Sequence, residues 1–460
     1  MKNFVFISLV AYLSTLAATQ TVYGGRFMTL RWVALFTLLI SSELYWVAIR
    51  VREGRGSSLD QTSNILLVYL TATFLTVLAG ENPLFSGFRW ASHAVMLVIF
   101  LIFLRQSITL LQPQKVLLVL KIIFGILLFI SLVKPATQTI YDDLQVFRGA
   151  MGNANTMGQI AAIGTLLYFH SYLNERKKWI RYLQAGLACG AVVIVWKSGS
   201  RSALMTLLSG IGVLTFFYRP IMKGKIFWAI LLICIMAFVL PELPRQAERF
   251  ILKSNEISIG LPKQVTRSRG SVWGAAWEGF KKRPLLGWGF GADSGITKDW
   301  KFRLTALGMV ERDPVNDFLF MLEGCGIMGF GAYFLLLYIG LKQMPTRVEI
   351  LGLKKGSNGS SVLHTHAICF TIAMSLLVLV QFDSTALSAG SFIPVILWLS
   401  VGAAGALRRE AKMAEIAMRN YLSTELLCSP QRHSAALPQP NPKHEIRNSK
   451  QIRMTKIRMI

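Results

Sequence analysis

A polar turn with two cations interrupts the apolar sequence at residues 195–210, VWKSGSRSALMTLLSG. Lys197 and Arg201 flank Ser198, Gly199 and Ser200, and apolar residues resume directly afterwards. A cation beside hydrocarbon is costly unless it lies at an interface or faces a polar cavity. A guanidinium keeps its charge at physiological pH and binds phosphate oxygens in pairs. Arg201 is therefore a candidate anion-binding residue. The alternative for Arg201 is a side chain that only extends to the membrane interface, and this is our interpretation of Lys197.

A second arginine precedes a predicted helix in the segment TRSRGSVWGAAWEGFKKRPLLGWGFG. We predict Ser271 as the N-cap of a helix that runs to Phe280, with Arg269 just before its start. An anion bound at that terminus would meet Arg269 and backbone N–H groups together. Arg283 follows two lysines and is either a third substrate contact or part of a solvated cluster. The GWGFG run predicts a turn. No strand precedes it, so we reject a dinucleotide fingerprint.

Further polar groups occur in VNDFLFMLEGCGIMGFGAYF and FRGAMGNANTMGQIA. Asn316 and Glu323 are seven residues apart and share a helix face. Glu323 falls about two turns into a predicted membrane helix, where a carboxylate is either functional or a buried packing partner. Asn153 and Asn155 can hydrogen-bond a sugar or a phosphate, or simply form a loop.

The composition predicts the elements that must position these side chains. The chain has 460 residues, of which 53% are hydrophobic, and its mean hydropathy is +0.48. The net charge of +26 would suit a nucleic-acid binder, but the basic residues lie between apolar runs. We therefore expect membrane lipids as partners and no nucleic acid. Four of the five cysteines lie within apolar runs, so neither a disulfide framework nor a metal site is indicated, and no cofactor is expected.

The apolar runs predict an all-α polytopic membrane protein with about 12 transmembrane helices and one long extracytoplasmic loop bearing short helices. The predicted spans are 4–20, 28–49, 63–80, 90–104, 115–133, 156–173, 182–197, 202–218, 226–241, 317–341, 363–382 and 388–407. The first run is short enough for a cleaved signal peptide, but we favour a retained span. Residues 1–407 form the predicted membrane domain, with the long loop at about 242–316. Residues 408–460 are a basic tail, predicted to be disordered and cytoplasmic.

Loop charges predict the orientation. Loops 174–181, 219–225 and 342–362 are rich in Lys and Arg and alternate with basic-poor connections such as 134–155 and 383–387. The positive-inside rule places the basic loops, and with them both termini, in the cytoplasm. The turn at 197–201 and the long loop then lie on the outer side, at the level of lipid phosphates.

The motifs together resemble the O-antigen ligase and O-antigen polymerase superfamily of bacterial membrane glycosyltransferases. The resemblance lies in FRGAMGNANTMGQIA, WKSGSRSALMTLL, SRGSVWGAAWEGFKKRPLLGWGFG and VNDFLFMLEGCGIMGFGAYF, within about 150–335. It implies transfer or polymerisation of glycan from an undecaprenyl-pyrophosphate donor at the outer face of the inner membrane, without a metal. The acceptor would be a second glycan or a lipid. Arg201 and Arg269 would bind the pyrophosphate and stabilise its charge as it leaves.

One position departs from the superfamily pattern, which has His-Asn where this chain has Val315 and Asn316. Glu311 and Asp313 are close in sequence, and a well-placed carboxylate can deprotonate a sugar hydroxyl. We therefore hypothesise that one of them serves as the general base. The missing His weakens a ligase, which would transfer glycan to lipid A core, more than it weakens a polymerase, and an inactive scaffold remains open.

A small-anion transporter of bicarbonate-like substrates is the alternative from another functional class. Glycine-broken helices near the middle of the membrane would favour it. The sequence indicates few such breaks. The polar groups cluster towards the outer edge of the spans, away from the middle of the membrane.

Overall fold

The computed structural model describes residues 2–53, 61–104, 113–133, 135–140, 144–218, 261–292, 304–305, 308–309, 316–342, 359–381 and 391–407. Within these ranges the chain is mostly helical. The helices are α1 Lys2–Thr19, α2 Met28–Glu53, α3 Gln61–Ala79, α4 Pro83–Val98, α5 Pro113–Val133, α6 Ala154–Asn174, α7 Lys178–Lys197, α8 Arg201–Tyr218, α9 Leu261–Lys282, α10 Asp317–Lys342, α11 Gly359–Leu379 and α12 Phe392–Leu407. A 3-10 turn, Gly24–Phe27, precedes α2, and a π-helical turn, Ile99–Phe103, continues α4.

Two short antiparallel strand pairs accompany the helices in the described part of the chain. Strands β1 Thr137–Ile140 and β2 Leu144–Phe147 pair with Thr137 opposite Phe147. Strands β3 Leu304–Thr305 and β4 Gly308–Met309 pair within the predicted long loop. Each pair joins strands that are close in sequence, so the fold class remains helical.

Eight of the described helices are long and apolar enough to cross a membrane: α1 to α5, α7, α8 and α10. Helices α11 and α12 contain shorter apolar stretches. The predicted all-α membrane fold is confirmed, but the predicted number of spans is not, because 226–241 lies outside the described residues. The tail at 408–460 also lies outside them, so its predicted disorder stays a prediction.

Helix α6 occupies the interior of the bundle. Its residues from Met157 to Tyr168 are buried without interruption. It is not among the eight apolar candidates, although 156–173 was predicted as a span. Its described neighbours include α5, α7 and α11, which pack against it. Small residues such as Ala161 and Gly164 therefore suit it better than large apolar ones, since they permit close packing of helices.

Helix α5 illustrates the opposite environment. Leu118, Ile122 and Ile126 recur every four residues and are each more than half exposed. On the other side of the same helix, Leu120 and Phe124 are buried in the core. An apolar stripe of this kind would be costly in water and is expected where a helix faces lipid.

Contacts between connections define two ends of the bundle. At the first, which we call the turn end, Gly152 N donates to Gln20 O (3.0 Å) and Glu81 N donates to Trp288 O (3.3 Å). We call the other the opposite end; there, Asn174 Nδ2 donates to the Tyr218 hydroxyl at 3.0 Å. Helix α6 joins the two ends, and its 21 residues span about 30 Å.

The helix that carries Arg269 is longer than predicted, and the prediction of Ser271 as its N-cap is wrong. Helix α9 begins at Leu261, ten residues earlier, and ends at Lys282. Pro262 explains the early start, because proline is favoured in the first turn of a helix, where its missing N–H costs nothing. Arg269 therefore lies inside the helix, and the idea of an anion held at a helix terminus beside it does not apply.

Candidate functional site

Arg201 is the first residue of α8, directly after a tight turn. Gly199 has φ 63°, in the region that favours glycine, and it lets the chain reverse between α7 and α8. The hydroxyl of Ser200 accepts a hydrogen bond from Ala203 N at 3.3 Å and caps the new helix. The Arg201 side chain is half-buried and Lys197 is exposed. A guanidinium at a helix N-terminus is a favourable site for an anion, because the helix dipole and the charge act together.

The asparagine motif lies against this turn. Asn153 is the N-cap of α6, and its side chain accepts a hydrogen bond from Asn155 N at 2.8 Å. One turn into α6, a Cβ on Gly158 would lie 2.4 Å from Ser198 Oγ and 2.8 Å from Ser200 Cβ. Because Gly158 has no side chain, α6 can pack closely against the turn that precedes Arg201. Asn153 is exposed and Asn155 half-buried, and their predicted binding of sugar or phosphate stays a prediction.

The glycine-rich segment after α9 is a structured loop, residues 284–291, which we call the glycine loop. Gly287, Gly289 and Gly291 all have positive φ, of 66°, 114° and 76°. Side chains are strained in this region of backbone space, so these glycines permit the loop's shape. A Cβ on Gly287 would lie 2.4 Å from Gly324 O, which shows how closely the loop approaches α10.

Helix α10 is broken at the same place. Gly326 has φ 61° and ψ −167°, which no α-helix contains. The sequence indicated few such breaks among the predicted spans, and α10 contains one that it did not identify. Hydrogen bonds with the glycine loop occupy the backbone beside the break: Trp288 N donates to Glu323 O (3.1 Å) and Gly289 N donates to Gly324 O (2.8 Å). Two of the four quoted motifs therefore form one unit.

Arg283, a candidate substrate contact, has protein partners in the structure. Its guanidinium donates to Glu81 Oε1 at 2.9 Å and lies over the Trp288 ring, 4.2 Å from the centroid. Trp288 Nε1 in turn donates to Gly279 O at 2.9 Å. These contacts connect the end of α9 to the α3–α4 turn. Arg283 therefore has a structural role here, and its role in substrate binding stays a prediction.

Asn316 and Glu323 take different positions. Asn316 Oδ1 accepts from Phe318 N (2.9 Å) and Leu319 N (3.1 Å), and its Nδ2 donates to Gln381 O at 3.1 Å. It caps α10 and joins that helix to the end of α11. Glu323 is buried, with 4% exposure, two turns into α10. Its backbone carbonyl accepts the hydrogen bond from Trp288 N, so Glu323 belongs to the same unit as the glycine loop.

Two further charged residues, not singled out from the sequence, lie in this region. Arg89 donates from Nη1 to Gly291 O at 2.7 Å and packs over the rings of Phe85 and Phe320. Asp317 is fully buried at the start of α10. A sequence signal existed only for Asp317, since an acidic residue in the first turn of a helix is stabilised by the dipole.

The side chains of the remaining candidates lie outside the described part of the chain. Glu311, Asp313 and Val315 are not among the described residues, and of Arg269 only the helical backbone is described. Convergence of Arg201 and Arg269 on one ligand therefore stays a prediction.

Helix α11 links the neighbourhoods of α8 and α10. A Cβ on Gly210 of α8 would lie 2.6 Å from Ser375 Oγ, and Asp317 N donates to Val380 O at 3.0 Å.

Comparison with known families covers three of the four quoted motifs, and the asparagine motif FRGAMGNANTMGQIA precedes the matched segment. A family model described as O-antigen ligase matches residues 185–334. The match runs from within α7 to within α10 and includes Arg201, Arg269, the glycine loop and Glu323. The search of curated proteins found no match. The chain is thus a multi-pass membrane protein whose residues 185–334 match the O-antigen ligase family model, which is consistent with the O-antigen ligase and polymerase family.

Proposed function

We propose that this protein transfers glycan from an undecaprenyl-pyrophosphate donor at the outer face of the bacterial inner membrane, and that it acts as a polymerase. The observation that carries the proposal is the O-antigen ligase match over residues 185–334, which contains Arg201 at the N-terminus of α8. A diphosphate would meet both the guanidinium and the positive end of the helix dipole there. The turn end of the bundle would face the outside, as the charge of the loops predicts.

The reaction exchanges one bond at the sugar's anomeric carbon for another. The acceptor hydroxyl oxygen bonds to that carbon, the bond from the carbon to the pyrophosphate oxygen breaks, and undecaprenyl pyrophosphate leaves with the electron pair. Arg201 and Arg269 would stabilise the negative charge that develops on the leaving group. The role is electrostatic and requires no metal in this proposal.

The hydroxyl proton needs an acceptor, and Val315 cannot supply one. Glu311 or Asp313 would take it as general base, since both are within four residues of Val315. Asn153, Asn155, Asn316 and Glu323 would contact sugar or phosphate oxygens. In this proposal the acceptor is a second carrier-linked glycan. Lipid A core is the acceptor if the protein is a ligase.

The break at Gly326 is the feature that would favour an anion transporter. Discontinuous membrane helices bind ions through backbone groups that lack a helical partner. In α10, however, Ile327 N and Met328 N donate to Pro284 O and Leu285 O at 2.8 and 3.3 Å. The glycine loop occupies the groups that an ion would use, so this break favours a structural interpretation over transport.

Complementation of a deletion strain tests the proposal. Wild-type chain, Arg201→Ala and Lys197→Gln would be expressed, and glycan length would be measured on the surface and on the carrier lipid. We expect single repeat units in the deletion strain and with Arg201→Ala. Lys197→Gln, a charge loss at an exposed residue of the same turn, should restore full-length glycan.

The other results distinguish the alternatives. Full-length polymer that accumulates on the carrier would show a lost ligase. Unchanged glycans with lost anion uptake would overturn the proposal in favour of transport. Unchanged glycans and unchanged uptake would indicate a scaffold.

A further inference from the structure

A cavity of about 330 Å³ lies at the opposite end of the bundle, far from the candidate site. Its walls come from α5, α6, α11 and the α6–α7 turn, and its polar lining includes Lys121, His170, Ser171, Asn174, Glu175 and His364. The volume is within the range of small-molecule sites. The N-terminus of α6, beside the Arg201 turn, is about 30 Å from this end of the same helix. The cavity is therefore separate from the proposed site of transfer.

Hydrogen bonds hold the walls of the cavity in place. Lys121 Nζ donates to Ser171 Oγ at 3.1 Å, which joins α5 to α6. Asn174 Nδ2 donates to His170 O and to the Tyr218 hydroxyl, at 2.7 and 3.0 Å. The same hydroxyl lies 2.9 Å from His364 Nδ1, and the two rings are stacked with an interplanar angle of 9°. The network spans four helices, so the cavity is preorganised.

His170 supplies the observation that points to a ligand. Its side chain lines the cavity, the residue is only 7% exposed, and Nε2 has no hydrogen-bond partner among the described residues. Leaving a buried polar atom without a hydrogen bond is unfavourable, because the atom has lost its contact with water. A ligand in the cavity whose hydroxyl donates a hydrogen bond to Nε2, or accepts one from it, would remove that cost.

Charge defines the class of ligand. Lys121 and Arg176 line the cavity, against the single carboxylate of Glu175. That carboxylate already accepts hydrogen bonds from Arg176 N and Lys177 N, at 2.9 and 3.0 Å. The adjoining α6–α7 turn adds the exposed Lys177 and Lys178. The cavity and its rim are therefore cationic, and a guanidinium beside an ammonium suits a phosphate.

We propose that this cavity binds a phosphate ester that carries a free hydroxyl. Lys121 and Arg176 bind the phosphate oxygens, and His170 Nε2 pairs with the hydroxyl. The ester is either the headgroup of an anionic lipid or a soluble phosphate, because the basic loops predict that this end lies at the cytoplasmic membrane surface. The site is independent of glycan transfer.

Binding to the purified full-length protein tests the proposal, with one experiment for each source. Protein reconstituted in phosphatidylcholine nanodiscs, with or without phosphatidylglycerol, is released and examined by native mass spectrometry for retained lipid. Glycerol 3-phosphate and inorganic phosphate are titrated by calorimetry. We expect wild-type protein to retain phosphatidylglycerol if lipid is the source, and to bind glycerol 3-phosphate if the source is soluble.

Lys121→Met and Lys115→Met form a matched pair on α5, since Lys115 is exposed and does not line the cavity. Binding should weaken about tenfold in Lys121→Met and stay within about twofold in Lys115→Met. Arg176→Gln alters an exposed side chain and keeps the test valid if Lys121→Met does not fold. Equal binding by Lys121→Met, Arg176→Gln and Lys115→Met, or no binding by wild type, would overturn the proposal.

Arg201→Ala separates the two proposals. It should lose glycan transfer and keep ligand binding in this cavity. If the proposed glycan transfer fails its test, the result on ligand binding in the cavity therefore still stands. If the cavity binds no ligand, the result on glycan transfer still stands.

Discussion

The backbone N–H of Ile327 donates a 2.8 Å hydrogen bond to the carbonyl oxygen of Pro284. Ile327 follows the break in α10 at Gly326, and Pro284 begins the glycine loop. A broken helix in a membrane protein exposes backbone groups that must find partners. Here a segment about forty residues earlier in the chain provides them. The break and the loop therefore depend on each other, and together they connect α9, which carries Arg269, to α10, which carries Glu323.

Gly326→Ala should disrupt the contact between the break in α10 and the glycine loop. The new Cβ would lie 2.4 Å from Leu285 C and O, and φ 61° disfavours any side chain. We expect destabilisation of about 2 kcal/mol or more and a lower Tm of the detergent-solubilised protein. Gly331→Ala on the same helix is the control, because a Cβ at Gly331 would meet nothing within 4 Å. Equal Tm values for the two variants would contradict the structural role of the break.

Hydropathy predicted the helices well and the break not at all. The predicted span 202–218 matches α8, Arg201–Tyr218, and 317–341 matches α10, Asp317–Lys342. The apolar pattern continues through Gly326 without a gap, so nothing local distinguishes a break from an ordinary glycine in a membrane helix. Its positive φ depends on the glycine loop, which is distant in sequence. Long-range contacts of this kind cannot be inferred from periodicity.

The candidate site was predictable to a similar extent. Arg201 and Glu323 stand out because charges within apolar runs are rare. The N-cap signal of Ser271 predicts the helix start near Arg269 at the wrong residue, whereas Pro262 agrees with the observed start at Leu261. Arg89 could not have been found, because its contact with Gly291 O joins residues 202 positions apart.

Gly158→Ala should impair transfer without touching substrate. The methyl group would collide with Ser198 and Ser200, displacing the turn that holds Arg201. We expect the transfer rate to fall clearly while the Tm changes little. Gly186→Ala on α7 is the control, since its Cβ meets nothing within 4 Å. Transfer rate and Tm measured for both variants decide the matter. Full activity in Gly158→Ala would show that the contact does not position Arg201.

Arg283→Gln and Glu81→Gln distinguish a structural arginine from a substrate contact. The side chains are 39% and 61% exposed, so we expect their coupling to contribute at most about 1 kcal/mol. If Arg283 acts only through Glu81 and Trp288, both variants should lower transfer activity slightly and equally. A large loss confined to Arg283→Gln would instead support its predicted role in substrate binding.

The hypothesis of a substitute general base is tested by Glu311→Gln and Asp313→Asn. Each change removes a proton acceptor and keeps the size of the side chain. We expect one of the two variants to lose transfer activity by about a hundredfold or more while donor binding is retained. The measurement is single-turnover transfer beside donor affinity. If both variants keep full activity, neither carboxylate is the base, and the proton acceptor replacing the superfamily His must be sought elsewhere.

A double-mutant cycle on Arg201 and Arg269 tests the central feature of the mechanism, that both guanidiniums bind one diphosphate. Removal of one such group typically costs about a hundredfold in rate. If the two act on the same leaving group, Arg201→Ala and Arg269→Ala should each cost about that much, and the double variant should lose far less than the product. Transfer rates of the four proteins, with Arg→Lys variants to separate charge from bidentate geometry, measure the coupling. Strictly multiplicative losses would mean that the two arginines act at separate places.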